Sequence, residues 1–292
     1  MNNKNLMALI AATTITTSAS AGFFLTGDYE GTISDGNPGA ATYAQDLDIT
    51  MVGDIADGTK VTATFENLGA DVDGGSTVKS TQVFVETAIE GLDFKGGNYK
   101  SQNGSGLLQA TSAVTNQMQV GFDVAGSGVT VGQVSGVGKA TVDTSLTVAG
   151  LTVKAQNVTD TTRFVTISTT IAGLEVTAET QKTVTGRNTA GSVGTTVAGV
   201  NVTGVMIDVN DASVLTQDDG ILGDISGAVD GKTVKGVVAS TSTTLGLVTG
   251  KYINMNELDT YVAEVERGVW TFGYAKTENA DGITTGKINV AF

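Results

Sequence analysis

Apolar and polar residues alternate with a period of two along much of the chain. Leu47, Ile49 and Met51 alternate with Asp46, Asp48 and Thr50; Val83, Val85 and Ile89 stand against Gln82, Glu86 and Glu90; Met118, Val120, Phe122 and Val124 stand against Gln117, Gln119 and Asp123. From Leu174 to Gln181 the even positions through Ala178 are apolar, and Glu175, Thr177, Glu179 and Gln181 fall on the other face. A period of two puts successive side chains on opposite faces of a strand. Few windows carry the i, i+3, i+4, i+7 spacing of an amphipathic helix, so the pattern predicts an all-β chain.

A recurring unit joins these strands: a β-branched residue, a short Gly turn, and at once another strand. Clear copies are Ile89-Glu90-Gly91-Leu92, Val148-Ala149-Gly150-Leu151, Ile171-Ala172-Gly173-Leu174, Val197-Ala198-Gly199-Val200 and Val229-Asp230-Gly231-Lys232, with looser ones at Gly58, Gly126 and Gly268. Glycine supplies the positive φ that a two-residue reversal demands. The turn glycines lie 23 to 37 residues apart, room for two strands of about nine to eleven residues and one longer connection. Eight turns taken literally give 18 strands; without a looser one, such as Gly126, they give 16. Alternation alone fits either a soluble sandwich, apolar face inward, or a membrane barrel, apolar face toward lipid.

The N-terminus narrows the choice. Lys4, the apolar run Leu6 to Ala12 and Ala19-Ser20-Ala21 have the order of a secretory signal peptide, so residues 1–21 are expected to be removed and 22–292 to form the exported domain. No apolar run reaches the roughly 18 to 20 residues of a membrane helix, which leaves a barrel as the one way across a bilayer. The 292 residues include no His and no Cys, which removes His-based triads, thiolate nucleophiles, disulfides and the usual zinc sites. A net charge of −14 argues against nucleic acid. No catalytic residues, cofactor or metal site are expected. Gly132 to Lys139 has the wrong spacing for a phosphate loop, and Asp71-Val72-Asp73-Gly74 and Asp218-Asp219-Gly220 do not complete a calcium loop.

The last strand, Gly286 to Phe292, points Ile288, Val290 and Phe292 one way and Lys287 and Asn289 the other. A chain ending on Phe in this pattern resembles the C-terminal assembly signature of bacterial outer-membrane barrels, and Gly22 to Glu30 resembles the first strand of the general diffusion porins of Gram-negative bacteria. The resemblance implies a transmembrane antiparallel up-and-down barrel of about 16 strands, with 18 possible, having short periplasmic turns and longer outer loops. It implies a place in the cell outer membrane, contact with its lipid, insertion by the barrel-assembly machinery and a homotrimer. In porins the third long loop, after the fifth strand, folds into the lumen; here that place is taken by 101–116, with Lys100, Ser101, Gln102, Asn103 and Gln109 as constriction candidates. The stretch departs from the family in carrying no acidic residue. With six Tyr and one Trp the aromatic girdle is thin, Trp270, Phe272 and Tyr274 being its one clear local piece.

Under this reading Asp46, Asp48, Asp54, Glu86, Glu90, Asp93, Asp123, Glu175 and Glu179 line the pore against Lys95, Lys154 and Lys235, an acidic excess that should favour cations. The expected function is a passive channel for small hydrophilic solutes. The alternative is a secreted or surface-attached structural β-protein such as an adhesin, S-layer or fibre component.

Overall fold

The computed structural model describes residues 22–291, apart from 37–40, 57, 67–79, 102–103, 109–113, 159–160, 216–220, 224 and 226. Residues 1–21 and Phe292, which carry the signal-peptide expectation and the end of the assembly signature, lie outside them. Among the described residues no helix is long and apolar enough to cross a membrane.

The chain forms β1 (Phe23–Gly36), β2 (Thr42–Ala56), β3 (Thr59–Glu66), β4 (Ser80–Ile89), β5 (Leu92–Tyr99) and β6 (Thr115–Val124). There follow β7 (Ser127–Val134), β8 (Thr141–Val148), β9 (Leu151–Asn157), β10 (Arg163–Ile171), β11 (Leu174–Lys182) and β12 (Arg187–Val197). The last six are β13 (Val200–Asp208), β14 (Thr233–Thr243), β15 (Gly246–Met255), β16 (Leu258–Arg267), β17 (Trp270–Thr277) and β18 (Ile283–Ala291). Each strand pairs antiparallel with its neighbours in sequence, and β1 pairs with β18 from Asp28 opposite Ala291 to Gly36 opposite Ile283. The sheet is therefore a closed barrel of 18 strands, not the 16 expected, and closure satisfies the edges that would otherwise be unpaired.

The turns explain the difference. Among the described residues six connections are two-residue reversals with both central residues at positive φ, the type I′ signature: Glu90-Gly91, Ala125-Gly126, Ala149-Gly150, Ala172-Gly173, Ala198-Gly199 and, at the end of the longer connections, Asn256-Glu257. The Gly126 turn, the one the 16-strand count discards, is among them. Gly231 is not a hairpin turn: it lies at the opposite end of the barrel in the long β13–β14 connection, and the reversal between β14 and β15 is Thr244-Leu245.

Cross-strand partners share a face, so one parity can be followed around the whole wall. Thr26, Thr50, Thr64, Gln82, Gln117, Thr130, Asp143, Gln156, Glu179, Asn188 and Thr285 all point inward. Ile33, Val85, Met118, Val131, Leu146, Ile167, Val193, Met206, Val237 and Phe272 point outward and are exposed. An apolar outer face around a polar wall is the inverse of a water-soluble protein and matches a barrel solvated by acyl chains. Tyr252, Tyr261, Trp270, Phe272 and Tyr274 gather on the outer face of β15–β17, with Trp270 and Phe272 stacked at 6.3 Å.

The buried apolar cluster lies inside the barrel. Leu215, Leu222, Ile225 and Ala228 of the β13–β14 connection, with Leu107 and Leu108 of the β5–β6 connection, pack on the inward side chains Phe164, Val205, Ile207, Val234 and Ile253. Two connections thus fold into the lumen and cover the apolar part of the wall formed by β10 and β12–β15.

Candidate pore and constriction

The β5–β6 connection is held by a carboxylate. Glu179 projects inward from the middle of β11 and is 3% exposed. Its Oε2 accepts the Ser105 N–H and, at 2.9 Å, the Thr166 hydroxyl, while Oε1 accepts the Leu108 N–H at 3.1 Å. The Gly104 N–H donates to Gln156 Oε1 at 2.6 Å. Gly104 itself has φ +56, and a Cβ there would collide with the Glu179 carboxylate, so only glycine permits the approach. At the root of the connection Lys100 binds Glu66 at 2.8 Å and its backbone N–H donates to Gln82, while the Ser101 hydroxyl donates to Gln117. Gln102, Asn103 and Gln109 lie outside the described residues.

The second inserted connection is tied to the neighbouring loop by Asp211, which accepts hydrogen bonds from the hydroxyls of Thr183, Thr185 and Ser213. These donors, Ser213 foremost, hold the Asp211 carboxyl below its ordinary range. Asn188, fully buried, accepts the Asn210 and Asp211 N–H groups and donates to the Asp211 carbonyl.

With β10 and β12–β15 covered, space remains along β3–β9. A cavity of about 490 Å³ is lined by Tyr99, Gln117, Asp143, Lys154 and Asn157 among others. A second, of about 450 Å³ and nearer the short turns, is lined by Lys60, Glu86 and Asp93. Lys95, Gln119 and Thr130 border both, so the two meet at one neck. At the neck Lys95 pairs with Glu86 at 2.8 Å and sits 3.9 Å from the Phe84 ring centroid and 4.6 Å from that of Tyr99. Lys154 faces Asp143 at 3.6 Å. On the far side β1 and β2 turn four carboxylates inward, Asp28 opposite Asp48 and Glu30 opposite Asp46, with Lys287 3.2 Å from Glu30.

Against the sequence expectations, Asp46, Asp48, Asp54, Glu86, Asp93, Lys95, Asp123, Lys154, Glu175 and Glu179 share the inward parity, although Asp123 also caps its own turn by accepting the Gly126 N–H at 2.9 Å. Glu90 does not line the wall: alternation ends at Ile89 and Glu90 occupies the turn at φ 52. Lys235 points outward, opposite Met206 and Asn254. Glu179 faces inward, but its carboxylate holds the loop and is withdrawn from the open wall. Ile288 and Val290 share the outward parity, opposite Gly31 and Tyr29 on β1. Sequence reasoning missed Glu66, Asp143, Asp28 and Glu30. For the last two, extending the parity of β2 across to β1 supplies the signal.

No family model matches the chain, and no curated protein matches it in sequence. Solved structures do match in shape. Pseudomonas aeruginosa OpdQ aligns with a TM-score of 0.62 at 9% identity over 94% of this chain and 98% of its own. Pseudomonas aeruginosa OccK2 (OpdF) gives 0.62 at 11% over 93% and 97%. The chain shares their fold. A BenF-like porin from Pseudomonas fluorescens Pf-5 aligns at 0.61 and 10% over 93% and 98%, and Acinetobacter baumannii OccAB3 at 0.58 and 9% over 93% and 99%. Identities this low carry the barrel and nothing finer.

Proposed function

We propose that this chain is a passive porin of the Gram-negative outer membrane, a channel through which small hydrophilic solutes and ions diffuse without any covalent step, with a weak preference for cations. The observation that carries the reading is the closed barrel whose apolar side faces out and whose polar side surrounds connected cavities between β3 and β9. An 18-stranded barrel is too wide for wall side chains alone to fill, so the inserted connections set the opening. The cation preference rests on Asp28, Glu30, Asp46 and Asp48, four carboxylates near one lysine of the wall, which raise the local cation concentration. A leader at 1–21, insertion by the barrel-assembly machinery and a trimeric state complete the proposal. A surface fibre would grow through a free strand edge, and the β1–β18 pairing occupies that edge.

Purified protein added to a planar bilayer should insert in discrete steps of conductance, and under a salt gradient the reversal potential should favour cations. Folded, membrane-embedded protein without conductance would remove the channel function. Protein that stays soluble without detergent would remove the membrane barrel as well.

A further inference from the structure

On the inner wall Lys95, Lys154 and Lys287 are each matched by a carboxylate, that of Glu86, Asp143 and Glu30 respectively. The outer face of β10–β12 is built the opposite way. Arg163 stands directly opposite Lys182, and Lys182 directly opposite Arg187. All three are exposed, while their sequence neighbours Phe164, Gln181 and Asn188 are buried on the inner side. Among the described residues none of the three forms an ion pair. Asp208, the outward carboxylate of β13, lies opposite Thr189 and accepts the Thr233 hydroxyl. Like charges directly opposite each other destabilise a sheet, so three in a row across two ladders favour an anion that neutralises them.

Their position says which anion. The cations stand where β10, β11 and β12 meet the long connections. Toward the short turns the outward positions become apolar, with Val165, Ile167 and Ile171 on β10 and Ala178, Val176 and Leu174 on β11. The eight steps from Arg163 to Ile171 cover roughly 27 Å of strand, or about 20 Å of height at a tilt near 40°. An apolar band about 25 Å tall therefore ends at the level of the three cations, where acyl chains give way to headgroups. Cross-strand neighbours stand about 5 Å apart, so one phosphate can meet two of the cations at once. The guanidinium of Arg163 or Arg187 offers it a bidentate fork.

We propose that the outer face of β10–β12 docks one lipid of the outer leaflet whose headgroup carries a phosphate monoester, the phosphate held among Arg163, Lys182 and Arg187 and the acyl chains lying on the apolar positions beyond them. A monoester carries about 1.5 to 2 negative charges at neutral pH and suits three adjacent cations better than the single charge of a diester. The inference rests on the porin reading, which turns the long connections outward, and adds to it a surface that takes no part in conduction.

The test titrates the full chain in neutral detergent with phosphatidic acid, phosphatidylglycerol and phosphatidylcholine of the same acyl chains, read by native mass spectrometry. Phosphatidic acid should bind as one copy, about tenfold more tightly than phosphatidylcholine, and the preference should shrink as salt rises. Replacing Arg163, Lys182 and Arg187 together by Gln should weaken its binding about tenfold. Lys235→Gln, at an outward lysine opposite Met206 and Asn254, should leave it unchanged. The triple variant should conduct like the wild type, and its thermal midpoint without added lipid should not fall, because it removes like-charge contacts. Equal affinity for the three lipids, undiminished binding in a folded triple variant, or displacement of phosphatidic acid by an equal concentration of inorganic phosphate each overturn the docking site and leave the porin reading intact. A membrane-embedded barrel that docks phosphatidic acid and never conducts overturns the channel function and leaves the docking site standing. Protein that stays soluble without detergent overturns both.

Discussion

Replacing Glu179 by Gln should release the β5–β6 connection without unfolding the barrel. The carboxylate accepts three hydrogen bonds, from Ser105 and Leu108 of the connection and Thr166 of the wall. Bonds to a charged acceptor contribute about 1.5 to 3 kcal/mol each. A glutamine can keep its oxygen where Oε2 stands and so retain neutral versions of two bonds. Its amide nitrogen then faces the Leu108 N–H, donor against donor. One charged bond is lost, two are weakened and one buried N–H is orphaned, for a cost of about 2 to 4 kcal/mol on loop docking. The opposing anchor is the burial of Leu107 and Leu108, about 1.5 to 3 kcal/mol each, so the connection still docks, less firmly. A cost near 3 kcal/mol multiplies the undocked population roughly 150-fold. Single-channel recording should then show frequent transitions to a larger conductance, rare in the wild type. Gly104→Ala, whose Cβ would collide with the same carboxylate, should give the same behaviour. Traces of both variants indistinguishable from the wild type, in barrels of normal heat-modifiable mobility, would refute the latch.

Three further outcomes follow from other parts of the molecule. The Asp211 carboxyl is held below its ordinary range, so its contribution to docking the β13–β14 connection is fully present above the unfolded carboxylate value of about 3.9 and is lost as pH falls through the lower folded value. The protection factors of the Asn210 and Asp211 amides should therefore be flat from pH 7 to about 4, and Asp211→Asn should lower them at pH 7 but not under strong acid. Ile167 faces outward mid-strand and Ser168 inward; Ile167→Arg should cost about 2 to 4 kcal/mol in reversible unfolding from vesicles and Ser168→Arg far less, and equal costs would reverse the faces. Asp46→Asn with Asp48→Asn should lower the cation preference in dilute salt without destabilising the barrel, since like charges stand opposite across β1 and β2; the difference should vanish near 1 M salt, where screening acts within about 3 Å.

The face of each strand was legible in the sequence because a period of two survives wherever one side meets apolar surroundings and the other meets polar groups. The Ala-Gly turns were legible for an equally local reason: both central residues need positive φ, and glycine marks the second. Errors arose where local signals had another cause. Val229-Asp230-Gly231-Lys232 is a turn, closed by the Lys232 N–H on the Val229 carbonyl with Gly231 at φ 76, but it lies within the long β13–β14 connection, tied to it by Val209 N–H to the Lys232 carbonyl and Gly231 N–H to the Val209 carbonyl, and does not join two strands as a hairpin. The true reversal at Thr244-Leu245 carries no glycine, and its strain-relieving residue is Gly246 at φ 129, one place later. Leu215, Leu222, Ile225 and Ala228 follow no period, because a connection that packs as a plug obeys the shape of the wall and not a repeat. Glu179 looks in sequence like any acid of the wall. Only the arrival of Ser105 and Leu108, more than 70 positions away, gives it a different task.

The plug also bears on how the polypeptide survives before it reaches a bilayer. Behind it the β13 strand is apolar on both sides, Val205 and Ile207 inward and Val202 and Met206 outward, and β14 repeats this with Val234 and Val238 against Val237 and Ala239. Under the porin reading neither side is covered before the barrel forms, since one faces acyl chains and the other faces the β13–β14 connection. Val200 to Ile207 contains no charge and no proline, the composition of a segment that stacks readily with its own kind. On that reading, Val200 to Ile207 and Val234 to Ala239 are therefore segments exposed to aggregation before the barrel closes.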